Sequence, residues 1–202
     1  MGGAWERMIG ISRRILEGTL RDVKPSQLTH EVFTTLMAEV AAIINSRPLL
    51  PASSIPELPL NLSPNMLLTM KPSQVTAPEG PFNQKDLMRS QWRRVQHLSN
   101  MFWNKWRKDY LPLLQTRVKW QQQKRDLEIG DVVLVKRDSQ RNDWPLGKVV
   151  GVEASSDGHV RKANVEIVTA DPKSLFLQPV SKLSKKTYLR PISDLVLLIP
   201  SE

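Results

Sequence analysis

In Gly130-Asp131-Val132-Val133-Leu134-Val135-Lys136 a glycine turn leads into four consecutive aliphatic residues, and from here to the C-terminus the pattern is that of strands. Valine is stiff about its first side-chain torsion and packs well on a pleated surface, so a valine-rich run bounded by turn residues favours extended backbone. Gly147-Lys148-Val149-Val150-Gly151-Val152-Glu153 is a second such run. Ser156-Asp157-Gly158 reads as a hairpin turn into a third, 159–168. Residues 176–183 and 188–199 add one or two more. Four or five short strands within 127–202 predict a small β-barrel.

Upstream of that run the spacing is helical. Met88, Trp92, Val95, Leu98, Phe102, Trp106 and Tyr110 fall on one face of a long helix over 84–110, with Arg89, Arg93, His97, Asn104, Arg107 and Lys108 roughly opposite. Pro112 is expected to interrupt it, and a second basic stretch follows through Arg125. Residues 48–82 contain eight prolines, a density that excludes a long helix and predicts an extended linker. One apolar island within it, 65–69, is expected to dock as a helical turn. Near the N-terminus, Trp5, Met8, Ile9, Ile15, Leu16, Leu20 and Val23 mark one amphipathic helix over 5–23. Val32, Phe33, Leu36, Met37, Val40 and Ile44 mark another over 29–46, with Thr29 as N-cap and Arg47-Pro48 as its stop.

Charge locates the part to question. Of the net +9, residues 1–82 contribute zero (seven basic, seven acidic) and residues 127–202 contribute +1 (eleven and ten). Residues 83–126 hold eleven basic and three acidic side chains, net +8. Such a cluster is either the electrostatic footprint of a nucleic-acid partner or a solvated helix surface. There is no cysteine, which excludes disulfides and thiolate zinc sites and suits a reducing compartment. Histidines 30, 97 and 159 are scattered, and no metal-binding spacing is expected of them. No apolar run reaches the roughly 18 residues of a spanning helix, and the N-terminus lacks the apolar region of a signal peptide, so neither membrane nor secretion is expected.

Gly2-Gly3-Ala4-Trp5-Glu6-Arg7-Met8-Ile9 resembles the end of the integrase core of Bel/Pao-type long-terminal-repeat retrotransposons. Ile43-Ile44-Asn45-Ser46-Arg47-Pro48-Leu49 resembles the end of that family's next helix. Gln91-Trp92-Arg93-Arg94-Val95-Gln96, Phe102-Trp103-Asn104-Lys105-Trp106, Tyr110-Leu111-Pro112 and Val118-Lys119-Trp120 are similar to its tail. So are Gly130–Val135, Trp144-Pro145-Leu146-Gly147-Lys148-Val149 and Arg190-Pro191-Ile192-Ser193-Asp194-Leu195. Each motif is weak by itself; their order and spacing over nearly the whole chain carry the resemblance. It implies an α+β architecture: a remnant of an RNase H-like core with two helices (1–47), a Pro-rich linker (48–82), a basic helical arm (83–126) and an SH3-like barrel (127–202).

The resemblance also implies that Glu6 is the last carboxylate of a D,D,E triad, whose two aspartates and upstream zinc module are not in this sequence. A two-metal site clamps its phosphate between two divalent ions, and one carboxylate cannot hold both. Glu6 is therefore expected to be vestigial here, a ligand of Mg2+ or Mn2+ only in an intact core; the plainer reading is a glutamate favoured by the helix dipole. Arg13, two turns away on the same face, is by resemblance a phosphate contact or else simply solvated. Arg89, Arg93, Arg94, Lys105, Arg107, Lys108, Arg117, Lys119, Lys124 and Arg125 either line a DNA backbone, gaining affinity by counterion release, or serve solubility. Trp92, Trp103, Trp106 and Trp120 either stack on unpaired bases or form the core. Trp144 in its Trp-Pro-Leu-Gly run either shapes a groove or is structural, and Lys136, Arg137, Arg141, Arg161 and Lys162 are possible phosphate contacts on turns.

The expected function is that of a DNA-binding C-terminal portion of a retrotransposon integrase. It would support integration without catalysing, and would need no cofactor by itself. Its partners would be double-stranded DNA, the rest of the integrase or a second copy, and a chromatin protein; its place would be intracellular, nuclear during integration. Residues 83–126 are expected to dominate DNA binding without sequence preference, and 1–47 to be unstable for want of a sheet to pack on. The alternative is a non-enzymatic chromatin- or protein-interaction module derived from a retroelement, which the near-neutral barrel fits. A small-barrel RNA binder of ribosomal type ranks behind both, since it needs no Trp-Glu-Arg helix.

Overall fold

The computed structural model describes residues 3–51, 61–70, 77–114, 125–136, 140–169 and 184–201. The chain is α+β and divides into two compact units, each made of two separate stretches: 1–45 with 75–113, and 46–74 with 114–202. Residues 83–113 of the expected basic arm fall in the first unit, with 1–45.

In the first unit are α1 (Gly3–Leu20), α2 (His30–Asn45) and α4 (Gln91–Leu114), with 3-10 turns at Pro25–Gln27 and Gln84–Met88. The Thr29 hydroxyl accepts from the Val32 N–H and so caps α2 as expected. Val32, Leu36, Val40 and Ile43 form its buried stripe, whereas Phe33 and Met37, expected inside, are exposed, and Ile44 is only half-buried. The buried stripe keeps Val32, Leu36 and Val40, takes Ile43 in place of Ile44 and is narrower than the apolar set, because a 3.6-residue repeat carries only part of an apolar-rich helix inward. Ile11 and Ile15 of α1 are buried too. On α4, Val95, Leu98, Phe102, Trp103, Trp106, Tyr110 and Leu111 are buried, and Phe102, Trp106 and Tyr110 stack in turn at centroid distances of 6.1 and 5.4 Å. Met88 and Trp92, placed by the spacing on this apolar face, lie outside it. The long helix begins only at Gln91, so Met88 belongs to a separate 3-10 turn and the period does not extend to it. Pro112 does not end α4, which runs to Leu114. A proline there has no N–H to give the carbonyl four residues back, so the last turn continues past it with one hydrogen bond fewer.

In the second unit, residues 46–74 contribute the short ladder β1 (Leu50–Pro51) with β2 (Asn61–Leu62), and α3 (Pro64–Thr69), capped by the Ser63 hydroxyl on the Met66 N–H. The expected helical turn is this α3. Strands β3 (Val132–Val135), β4 (Leu146–Ala154), β5 (Val160–Thr169), β6 (Ser184–Pro191) and β7 (Leu195–Ile199) form one antiparallel sheet in the order β6-β5-β4-β3-β7. The run expected as one strand over 188–199 is broken by a 3-10 turn at Ile192–Asp194 into β6 and β7. The strand expected at 176–183 lies outside the described residues. Val133, Val135, Val149, Ala163, Val165, Ile167 and Leu195 make the sheet's core. Gly147 lets β4 pass close to β5: a Cβ there would sit 2.2 Å from a methyl of Val165. Register shifts along β4–β5 bend the sheet. Among the described residues the sheet is not closed: β6 and β7 stand at opposite ends of the order.

Candidate nucleic-acid interface

Glu6 and Arg13 stand exposed on α1. Among the described residues no three His, Cys, Asp or Glu side chains come together in a way that could hold a metal ion. One exposed carboxylate does not supply the several oxygen ligands that a hard divalent cation requires, so Glu6 by itself does not make a metal site.

The cations of 83–126 separate into those that face solvent and those that the fold itself uses. Asp86 is the organiser at the head of α4. Asn83 and Asp86 form a capping box, in which Asp86 Oδ2 accepts from the Asn83 N–H at 2.8 Å and Asn83 Oδ1 accepts from the Lys85 N–H. The fully buried Asp86 carboxylate then receives Arg93 Nη1 at 3.1 Å, with Arg89 Nη1 at 3.6 Å. The backbone N–H of Asn83 chiefly, then the Arg93 guanidinium, outweigh burial and hold the Asp86 carboxyl below the usual aspartate range. The outer parts of both guanidiniums remain in water, with side chains 59% and 37% exposed for Arg89 and Arg93.

Arg94 is spent on structure. Its Nε donates to the Leu87 carbonyl and its Nη1 to the Gln27 carbonyl, each at 2.8 Å, which ties both 3-10 turns to α4. Lys105 Nζ donates at 2.8 Å to the Gly18 carbonyl, in the last turn of α1. That turn has no basic residue of its own, and a cation is favoured at the negative end of a helix. Arg107 is half-buried and Lys108 exposed. Arg117, Lys119, Trp120 and Lys124 lie outside the described residues. Arg125 chelates the buried Asp131 carboxylate and pairs with Glu128 at 2.9 Å. Thus Arg94, Lys105 and Arg125, nominated from sequence as phosphate contacts, are held in internal hydrogen bonds.

On the sheet, the residues nominated from turns fare unequally. Lys136 donates to the Ser193 carbonyl, Arg161 pairs with Asp157, and Arg137 lies outside the described residues. Arg141, expected on a surface turn, is 4% exposed and is corrected to an interior residue. It sits beside Asn142, whose left-handed backbone (φ 71°) is of a kind that asparagine tolerates better than most residues. Trp144 is structural: it is buried, and its Nε1 donates to Ser46 Oγ at 3.2 Å.

Sequence reasoning missed the run of cations on β6. Ser184–Pro191 carries Lys185, Lys186 and Arg190 and no carboxylate, at one end of the sheet order. Lys186, Tyr188 and Arg190 share a face by alternation, and the Arg190 guanidinium lies 5.7 Å from the centre of the Tyr188 ring. Lys185 points the other way, to Glu166 at 3.1 Å. Beside β6, Lys162 of β5 is exposed. The signal was in the sequence, as three cations in eight residues, but counting over 127–202 hid it beneath acids that sit on other turns and strands.

A helical unit and an antiparallel five-stranded sheet, both carrying solvent-facing cations, define an α+β protein. Residues 90–198, more than half of the chain, match the family of unknown function DUF5641, and the chain belongs to that family. The matched stretch starts at the head of α4 and ends within β7, so it draws on both units. No curated protein and no solved structure matches the chain.

Proposed function

We propose that this chain is a DNA-binding C-terminal portion of a Bel/Pao-type retrotransposon integrase, one that holds nucleic acid for an insertion reaction whose metal-binding core it does not itself complete. The observation that carries the reading is β6, a strand at one end of the sheet with three cations and no carboxylate. Lysine and arginine on such a strand bind phosphates by releasing counterions, whatever the sequence. Two features support the finer reading of the sheet as SH3-like. The terminal strands β6 and β7 are joined by a 3-10 turn, and β7 returns to pair with β3, the first strand of the sheet. The solvent-facing Arg13, Arg89 and Lys108 of the helical unit supply further positive charge. In this reading the chain works in the nucleus on double-stranded DNA, and Mg2+ or Mn2+ belongs to the complete integrase.

Duplex binding measured across a salt series tests it. The affinity should fall with salt, independently of sequence. Replacing Lys186 and Arg190, which share one face of β6, together by glutamine should make the log–log slope shallower by about 1–2. A slope unchanged by the double substitution would refute the assignment to β6. The exposed apolar side chains Val150, Val152, Leu189 and Ile192 of the sheet unit favour the second reading, a protein-interaction module. A chain that binds no duplex at low salt but captures histone or integrase-core protein would support that one instead.

A further inference from the structure

The head of α4 holds an arrangement that the duplex-binding reading leaves unused. Trp92 is 50% exposed, although the other described aromatic residues of α4 are buried. Its ring meets Phe82 edge to face, centroids 5.4 Å apart and planes at 76°. In that geometry Phe82 fixes the indole and leaves at least one of its faces uncovered. Met88, four residues before Trp92 in the chain, is 72% exposed. Arg89 and Arg93 flank Trp92 in the chain, and both are steadied by the same fully buried Asp86 carboxylate. Lys85 is exposed as well. The only acid in 82–93 is Asp86, so every charge that this segment presents to water is positive.

An open aromatic face would suit many partners; the charge around it selects among them. A ligand that places a flat ring on Trp92 while meeting only cations is an aromatic group carried on a polyanion. We propose that Trp92, braced by Phe82 and flanked by Arg89 and Arg93, is a stacking platform for an unpaired base, so that this end of α4 binds single-stranded nucleic acid. Stacking on an aromatic face tolerates any base, and the adjacent guanidiniums take the phosphates on either side. A paired base has both faces covered by its neighbours in the helix, so the platform discriminates against duplex. The proposal rests on the nucleic-acid reading above and adds to it a second site with a different substrate form.

The test uses the full chain with two probes, an oligo(dT) of about 12 nucleotides and a blunt duplex, at one fixed salt concentration. Trp92→Ala should weaken oligo(dT) binding about 5- to 100-fold, while Trp92→Phe, which keeps a stacking face, should weaken it far less. Duplex affinity should stay unchanged in both variants. Equal oligo(dT) affinity for Trp92→Ala and the natural chain overturns the platform and leaves the duplex reading standing. Equal loss on both probes also overturns it, since stacking alone cannot weaken a duplex whose bases are covered. A natural chain that binds neither probe defeats both readings. Self-association lowered by Trp92→Ala, with oligo(dT) binding intact, would assign the patch to a protein contact and likewise overturn the proposal.

Discussion

Replacing Asp131 by alanine should unfasten the sheet unit. Its carboxylate is fully buried and accepts from Arg125 Nη1 and Nη2, the Glu128 N–H at 2.9 Å, and the Ser201 N–H at 2.8 Å and hydroxyl at 3.1 Å. It thus joins the residues entering the sheet to those leaving it after β7. Alanine would strand two backbone N–H groups that now make charge-assisted bonds worth about 1.5–3 kcal/mol each. Water reaching them from the Arg125 side offsets part of the loss, so the expected cost is about 3–4 kcal/mol, within the range for breaking a buried ion pair. In a chain of 202 residues that lowers the thermal midpoint by roughly 10 °C. The pH dependence follows the same group. Burial pushes the Asp131 carboxyl up, but the N–H groups of Glu128 and Ser201, the Ser201 hydroxyl and the Arg125 guanidinium outweigh it and hold the folded carboxyl below its ordinary range. A carboxyl depressed on folding stabilises above its unfolded pKa, near 3.9, and loses that contribution as pH falls through the lower folded value. Urea unfolding followed by circular dichroism at pH 7 and again between about pH 5 and 2 reads both effects. An alanine variant within about 0.5 kcal/mol of the natural chain, or one whose acid-induced loss of stability matches that of the natural chain, would refute the reasoning.

Two further substitutions test the packing. Gly147→Ala should destabilise the sheet unit by about 1–3 kcal/mol, because the new methyl meets Val165 at 2.2 Å and the Glu166 carbonyl oxygen at 3.0 Å; unchanged urea unfolding would place β4 further from β5. Trp106→Ala should cost about 3–5 kcal/mol, since Trp106 is fully buried between Phe102 and Tyr110. It should also raise hydrogen exchange in α2 as well as α4, and exchange confined to α4 would mean that the N-terminal helices do not share its core.

Local patterns were legible wherever one rule governed. The valine-rich runs gave β3, β4 and β5 nearly to the residue, because extended backbone suits branched side chains on both faces of a strand. Thr29 and Arg47-Pro48 bounded α2 for equally local reasons, a cap and a stop. What failed was anything that depended on a partner distant in sequence. Net charge marked 83–126 as an arm for DNA, but charge does not say whether a cation meets a phosphate or a carbonyl, and Arg94 finds Gln27 while Lys105 finds Gly18. The Asn83–Asp86 capping box was readable at three-residue spacing and would have warned that Arg93 had an acid waiting. Helical spacing put Trp92 on the apolar face, but it stands in the first turn of α4, and periodicity does not say how far along a helix the buried contact reaches.

The interleaving of the two units carries a consequence for how the chain is made. Because the helical unit needs both 1–45 and 75–113, α1 and α2 leave the ribosome well before α4 exists to complete their core. With synthesis at roughly 5–20 residues per second, the stripe Val32-Leu36-Val40-Ile43 stays open to water for several seconds while the first piece of the other unit is threaded between. A newly made chain is thus exposed to chaperones and to neighbouring nascent copies at one place and for one interval. Excision fares no better, since a single cut anywhere in 46–74 divides both units and releases neither whole.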